Sequence, residues 1–417
     1  MAPAHNFDKT VPALILKLGH YVIHHGAVGI ARSLGRVGVP VYAIVEDRCT
    51  PLAVSRYVTG AFCRSSDSKA PEALLSDLRN IAERLGRRSV LVPTDDVAAV
   101  FIAENQPELE HTFILPRLPA GLPRQLCNKL ELHKLCRKLG IPTPATIVPR
   151  SLDDVLAFIE TAVFPVVLKA AEAYRLPNGA PSVTIAGTPQ ELIAAYRLAE
   201  SPHCANLILQ EYIPRDAEDW IFHAYRNPGT DCLVAFTGRK LRSWPPFAGP
   251  TTLGVCKHND KLMKQSEDLL RPLEYAGIMD LDYRLDKRDG QYKLLDFNPR
   301  IGANFRMFED ASGLDVVQAM HLDLTGRSVK QVPATDGRAF LVESYDFFAS
   351  VGYIRQGALT PKRWWRSLRG TTEMAWFTAD DPAPFFVMWF RLLFRTLGSS
   401  FRRRWHRLER QGAAAPP

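Results

Sequence analysis

Three kinds of residue recur at spacings that suit phosphate chemistry. Lys129 opens a charged helical segment after a loop, and Lys169 closes the apolar run FPVVLK, with a Pro/Asn/Gly loop behind it. Asp282 sits in a strand-like stretch, Ile278–Leu285. Asp296, Asn298 and Arg300 follow in alternation, so on a strand Asp296 and Asn298 share one face and Arg300 carries that face into a turn. A nucleoside triphosphate needs this mixture. Lysines neutralise phosphate oxygens as compact charges. Hard oxygen ligands hold magnesium, which bridges phosphates. An arginine stabilises negative charge that develops during transfer. Alone, an Asp-x-Asn-x-Arg run reads as a solvated turn and Lys129 as a surface lysine. Their order along the chain favours a common site.

The elements that must position these groups fall into three segments. Residues 12–118 alternate strand and helix: strands at Ala13–Leu18, Val39–Val45 and Val90–Pro93, helices at Gly26–Gly38 and Pro71–Leu85. That order implies a parallel sheet with right-handed crossovers, whose ligands lie beyond the carboxyl ends of the strands. Those ends carry His24, His25, Glu46, Asp47, Asp95 and Asp96. Gly26-x-x-Gly29 falls short of a dinucleotide fingerprint. In the second segment, about 122–213, a helix over Asn128–Leu139 capped by Asn128 and closed by Gly140 precedes the strands FPVVLK, SVTIA and LILQ. The third, about 219–328, reads as antiparallel strands with a helix over Leu262–Tyr275. The RDG turn at Arg288–Gly290 makes its last two strands a hairpin.

This order resembles the ATP-grasp superfamily of carboxylate–amine ligases over roughly residues 12–330. The most specific piece is LLDFNPRIGANFR at Leu294–Arg306, with FPVVLKAA for the second phosphate lysine, Lys169, Lys129 for the first, and LILQEYIP for the hinge. LVPTDD, the CNKLELHKLCRKLGIPTPAT run, LQEYIPRDAED and GYIRQGALTPKRWWRSLRG are similar to a bacterial subgroup that includes D-aspartate ligases. The resemblance implies an α/β fold: an N-terminal parallel-sheet domain (1–121), two grasp lobes (122–213 and 214–329), an α-helical appendix (330–384) and a basic tail (385–417). It implies that Gln210, Glu211, Tyr212 and Ile213 line the adenine site and that Glu218 or Asp219 meets the ribose. Asp282, Asp296 and Asn298 hold magnesium or manganese, and Arg300 faces an acyl phosphate. Arg239, Lys240 and Arg242 are candidates for γ-phosphate or acceptor carboxylate, and Arg306 and Asp95 for substrate. The implied reaction joins a small-molecule carboxylate to an amine, an amino acid by expectation, with ATP. The competing readings are an ATP-grasp carboxylase or kinase without an amine acceptor, and a non-catalytic nucleotide-binding membrane adaptor. The sequence departs from commoner members in carrying aspartates where glutamates are frequent, and one glycine in the loop Ala171–Pro181.

Of 417 residues, 52 are Lys or Arg and 44 Asp or Glu. Seven arginines and one glutamate fall in residues 385–417, so the body is near neutral, and this argues against a nucleic-acid partner. Seven scattered cysteines without a C-x-x-C pair, and an N-terminus without a signal pattern, lead us to expect a reducing, cytoplasmic setting. On helical spacing Arg391, Arg395 and Arg402 lie near one face of the tail. Phe386, Trp389, Phe390, Leu393 and Leu397 form the other. Such a helix suits an anionic membrane interface, at the inner face of the cell membrane, or packing on the body or on a second subunit of a homodimer.

Overall fold

The computed structural model describes residues 5–19, 23–64, 70–171, 181, 183–200, 206–214, 217–227, 232–247, 249–330 and 332–394. Their strands form three sheets. The first holds β1 (Ala13–Leu16), β2 (Val41–Val45), β3 (Val58–Cys63), β4 (Ser89–Pro93) and β5 (Phe113–Ile114) in the order β3-β2-β1-β4-β5, parallel throughout. Its strands are apolar on both faces because both faces are covered. Leu14, Leu16 and Leu91 meet the helices Pro71–Leu85 and Asp96–Glu104, while Ala13, Ile15 and Val92 meet the helix His25–Arg36.

The second sheet, β6 (Thr146–Ile147), β7 (Val166–Ala170), β8 (Val183–Ala186) and β9 (Leu207–Glu211), runs β6-β9-β7-β8 and is antiparallel. Val166, Leu168, Leu207 and Leu209 turn one way, onto the helices Leu152–Thr161 and Pro189–Ala199. Alternation therefore turns Val167, Lys169, Ile208 and Gln210 the other way.

The third sheet is the largest. It holds β10 (Glu218–Arg226), β11 (Cys232–Ser243), β12 (Thr251–Cys256), β13 (Gly277–Asp286), β14 (Gln291–Asn298), β15 (Ala339–Leu341) and β16 (Glu373–Met374), in the order β14-β13-β10-β11-β12-β15-β16. Trp220, Phe222, Leu281 and Tyr283 bury one face against Leu126 and the helix Asp260–Leu270. The expected hairpin is β13–β14, closed by Gly290 at φ 68°, a left-handed turn position that glycine takes without steric cost.

The segment past residue 330 is helical (Glu343–Arg355, Pro361–Leu368 and 383–394) and also adds β15 and β16 to the third sheet. Trp376 is fully buried and donates to Ser344, and Trp364 donates to Asp346. Arg32 fastens this segment to the first helix through Asp381 at 3.0 Å and the carbonyls of Ala375 and Trp376. Most of the loop Ala171–Pro181, and Arg395, Leu397 and Arg402, lie outside the described residues.

Candidate functional site

The inward faces of the second and third sheets meet across a crevice of about 290 Å³. Lys169 and Gln210 line it from the small sheet, Asp219, Lys240, Asp282 and Asp296 from the large one, and Lys129 from the helix between them. Lys129 is at the first turn of Lys129–Leu139, where Asn128 caps by accepting from the amides of Leu130 and Glu131 and Gly140 closes the helix at φ 68°. The cap fixes where the helix begins and so where its first lysine points.

Register sets the acids. Asp282 pairs directly with Asp296 across β13–β14, and Asp280 with Asn298. Lys129 Nζ lies 2.9 Å from Asp296 Oδ1, and Lys240 Nζ 3.2 Å from Asp282 Oδ1. Burial opposes ionisation of Asp296, but Lys129, Lys169 and Lys240 outweigh it and hold the carboxyl below its usual range. Burial lowers the Lys169 ammonium, against the pull of Asp296. Among the described residues Lys169 has no ion pair, and its side chain lines the crevice. Asp296 raises Lys129; for Lys240 burial is overcome chiefly by Asp282 and Asp219. Two carboxylates and an amide oxygen on one strand pair fit a small hard cation shared with phosphate oxygens. Among the described residues no three His, Cys, Asp or Glu side chains converge as a self-sufficient metal set, and the lysines now take up the carboxylates.

The hinge follows the small sheet. Gln210 is buried and donates to Thr146, Tyr212 lines the crevice, and Ile213 is buried. Glu211 is engaged by Lys293 at 3.3 Å and by Arg288, which links β9 to the β13–β14 hairpin. A wider hollow of about 1280 Å³ behind the hinge is lined by Arg137, Phe158, Val163 and Arg288, and by none of the three lysines.

Arg300 leaves β14 toward the parallel sheet. It donates to Asp96 at 3.0 Å and to Asn298 at 3.1 Å, with Asp280 3.8 Å away. Burial, then Asp282, pushes the Asp280 carboxyl above its usual range. Asp280 and Arg284 were not singled out in the sequence, and Asp96 was named only as a strand-end residue. Asp280 had a signal, since it alternates with Asp282 on one strand. Arg284 had the same one and pairs with Asp219 at 2.6 Å. Asp96 followed a residue singled out in its place.

Five expectations need correction. Asp95 caps the helix Asp96–Glu104 and accepts from the amides of Leu18, Gly19 and Ala98, so its neighbour Asp96 is the one that reaches Arg300. Glu218 and Arg239 pair at 3.0 Å on the face with Trp220, away from the crevice, whereas Asp219 faces it. Arg242 makes a two-pronged pair with Asp346, both bonds 2.8 Å, and is buried there. Arg306 is enclosed by Asp315, Glu309 and Glu373. Arg242 and Arg306 are anchors between elements, while the Nε of Arg239 is buried without a hydrogen-bond partner among the described residues. Of the paired histidines, His24 caps His25–Arg36 and His25 meets Asn304 at 3.2 Å.

A family model, the carbamoyl-phosphate synthase L chain ATP binding domain, matches residues 248–327. D-aspartate ligase of Enterococcus faecium (strain Aus0004) is 27% identical over 305 residues, 70% of this chain and 72% of that protein. The carbamoyl phosphate synthase large chain of Thermomicrobium roseum is 21% identical over 51% of this chain and only 20% of its own length. Among solved structures, N5-carboxyaminoimidazole synthetase of Staphylococcus aureus with ADP has a TM-score of 0.59 at 13% identity, covering 81% of this chain and 83% of that one. The biotin carboxylase domain dimer of Hydrogenobacter thermophilus 2-oxoglutarate carboxylase, with MgADP and bicarbonate, has a TM-score of 0.58 at 14% identity, covering 79% and 72%. Both show the fold. With two facing sheets and a lysine from each lobe, the chain resembles the ATP-grasp carboxylate–amine ligases.

Proposed function

We propose that the chain joins a carboxylate to an amine, an amino acid in the simplest case, by way of an acylphosphate. The observation that carries this reading is the convergence of Lys129, Lys169 and Lys240 on the Asp282/Asp296 pair in a single crevice. In this reading Gln210 to Ile213 receive the adenine, Asp219 the ribose, and the three lysines the phosphates. Asp282, Asp296 and Asn298 would hold magnesium or manganese, which would supply neutralising charge at the phosphates. Residues 1–121 present the substrates at the carboxyl edge of the parallel sheet, and 122–213 and 214–329 act as the two lobes.

The donor carboxylate oxygen attacks the γ-phosphorus and ADP leaves. The amine nitrogen then attacks the acyl carbon, loses a proton, and phosphate departs. Both steps concentrate negative charge where Arg300 stands, between Asn298 and the strand ends of the parallel sheet. Positioning and charge neutralisation suffice, and no side chain needs to form a covalent bond. The D-aspartate ligase relative favours ligation; the carboxylase likeness favours the competing reading, bicarbonate as acid without an amine. A phosphate-release screen of amino acids in pairs, with ATP and magnesium, separates them. Ligation requires phosphate release that depends on both an acid and an amine. Release with bicarbonate alone supports carboxylation, and no release with any pair contradicts the ligase reading.

A further inference from the structure

Residues 383–394 are helical and almost wholly apolar. One face is accounted for. Met388 is fully buried, with Phe385 and Leu392 packed beside it on the core that joins the first and third sheets. The other face is uncovered: Phe386, Phe390, Leu393 and Phe394 are 63, 61, 58 and 56% exposed, with Trp389 on its edge. Their spacing of three and four residues is that of one helical stripe. A helix apolar on both sides normally lies inside a protein or in lipid.

The exposed stripe continues across the appendix. The ring of Phe385 meets exposed Phe377 edge-on at 5.5 Å, and the Phe377 amide donates to Glu343, which opens the helix Glu343–Arg355. One turn along that helix, exposed Phe347 touches Trp364, whose neighbour Trp365 is 59% exposed. The helix Pro361–Leu368 that carries both tryptophans buries no residue. It holds Lys362, Arg363 and Arg366 and no acid.

We infer that this aromatic strip, with exposed Lys362, Arg363 and Arg366 beside it, docks on an anionic lipid surface. Aromatic rings flanked by Lys and Arg match the interfacial zone of a bilayer, where rings enter the headgroup boundary and cations meet lipid phosphates. Arg391 is held by Asp47 on the body, so it steadies the helix with its apolar stripe outward. The remaining six arginines of 385–417 lie beyond the described residues. Charge also chooses between occupants. A second copy meeting this face about a two-fold axis would bring two sets of Lys362, Arg363 and Arg366 together, whereas an anionic membrane supplies the opposite charge. No described helix is long and apolar enough to cross a membrane. This inference does not depend on the ligase reading.

The test is co-sedimentation of the full chain with vesicles of phosphatidylcholine alone or with about one-third phosphatidylglycerol. Binding to the anionic vesicles should exceed that to neutral ones by about tenfold and fall with salt. The pair Phe390→Ser and Phe394→Ser, which leaves the buried face intact, should weaken it about tenfold. The triple change Lys362→Glu, Arg363→Glu and Arg366→Glu should do the same, since all three side chains are exposed. Absence of binding to anionic vesicles, or equal binding by the variants, overturns the inference. So does a chain that is dimeric by sedimentation velocity, becomes monomeric in the serine variant and binds no vesicles, which assigns the face to a second copy.

Discussion

Lys169 and Arg242 show how little residue type alone decides. Both are cations on strands beside the crevice. Lys169 has no ion pair among the described residues and lines the crevice, and Arg242 is locked to Asp346. Lys169→Ala and Arg300→Ala should each lower turnover about 100-fold or more, since each removes a charge aimed at developing phosphate or acyl negative charge. Arg242→Ala should instead destabilise the fold by about 3–5 kcal/mol, the cost of stranding a buried carboxylate. Turnover of the correctly folded fraction, measured beside urea unfolding, tells the two classes apart. His223 adds a pH effect. It is buried edge-on to Phe308, and burial, then Arg300, pulls its imidazole down to about 3. The unfolded chain takes up that proton near pH 6.5 and the folded chain does not. Stability is therefore full above pH 6.5 and falls as pH drops from there toward 3. Between pH 7 and pH 5 wild type should lose about 2 kcal/mol that a His223→Phe variant keeps.

At the scale of elements, the loop after β14 is held by close approach. A Cβ on Gly302 would fall 2.4 Å from Asp280 Oδ2, and one on Gly26 2.9 Å from the Cα of Ala303. The missing side chain of Gly302 lets that loop close on Asp280. Gly26→Val should push the helix His25–Arg36 away from the loop that carries Arg300. MgATP should still bind while turnover drops, which calorimetry and phosphate release would show together. Asp381 works at the same scale. It and Arg32 are almost fully buried at the junction of the first helix and residues 375–381, so Asp381→Ala should cost about 3–5 kcal/mol in urea unfolding.

Across the whole molecule, what could be read from sequence was what local rules determine. The Asn128 cap, the Pro71–Leu85 helix, the apolar runs of β1 and β2 and the alternation of Asp296 with Asn298 follow from spacing and caps. What escaped depends on partners distant in sequence. β16 is two residues long and exists because β15 lies beside it. Arg306 reads as an exit-loop arginine until Glu373, remote in the chain, closes on it. Glu218 and Asp219 are neighbours that only the register of β10 assigns to opposite faces. For the tail, spacing identified the stripe of Phe386, Phe390 and Leu393. It could not show that Arg391 would bind Asp47 and leave that stripe outward.

The central claim is that one triphosphate and its cation are gripped from both lobes at once. Calorimetric titration with ATP, with and without magnesium, tests it most directly in wild type, Lys169→Ala and Asp296→Ala. The account predicts tight binding that needs the cation, weakened about tenfold or more by either substitution, although the two residues sit on different sheets. Magnesium-independent binding that is unchanged in both variants would contradict it.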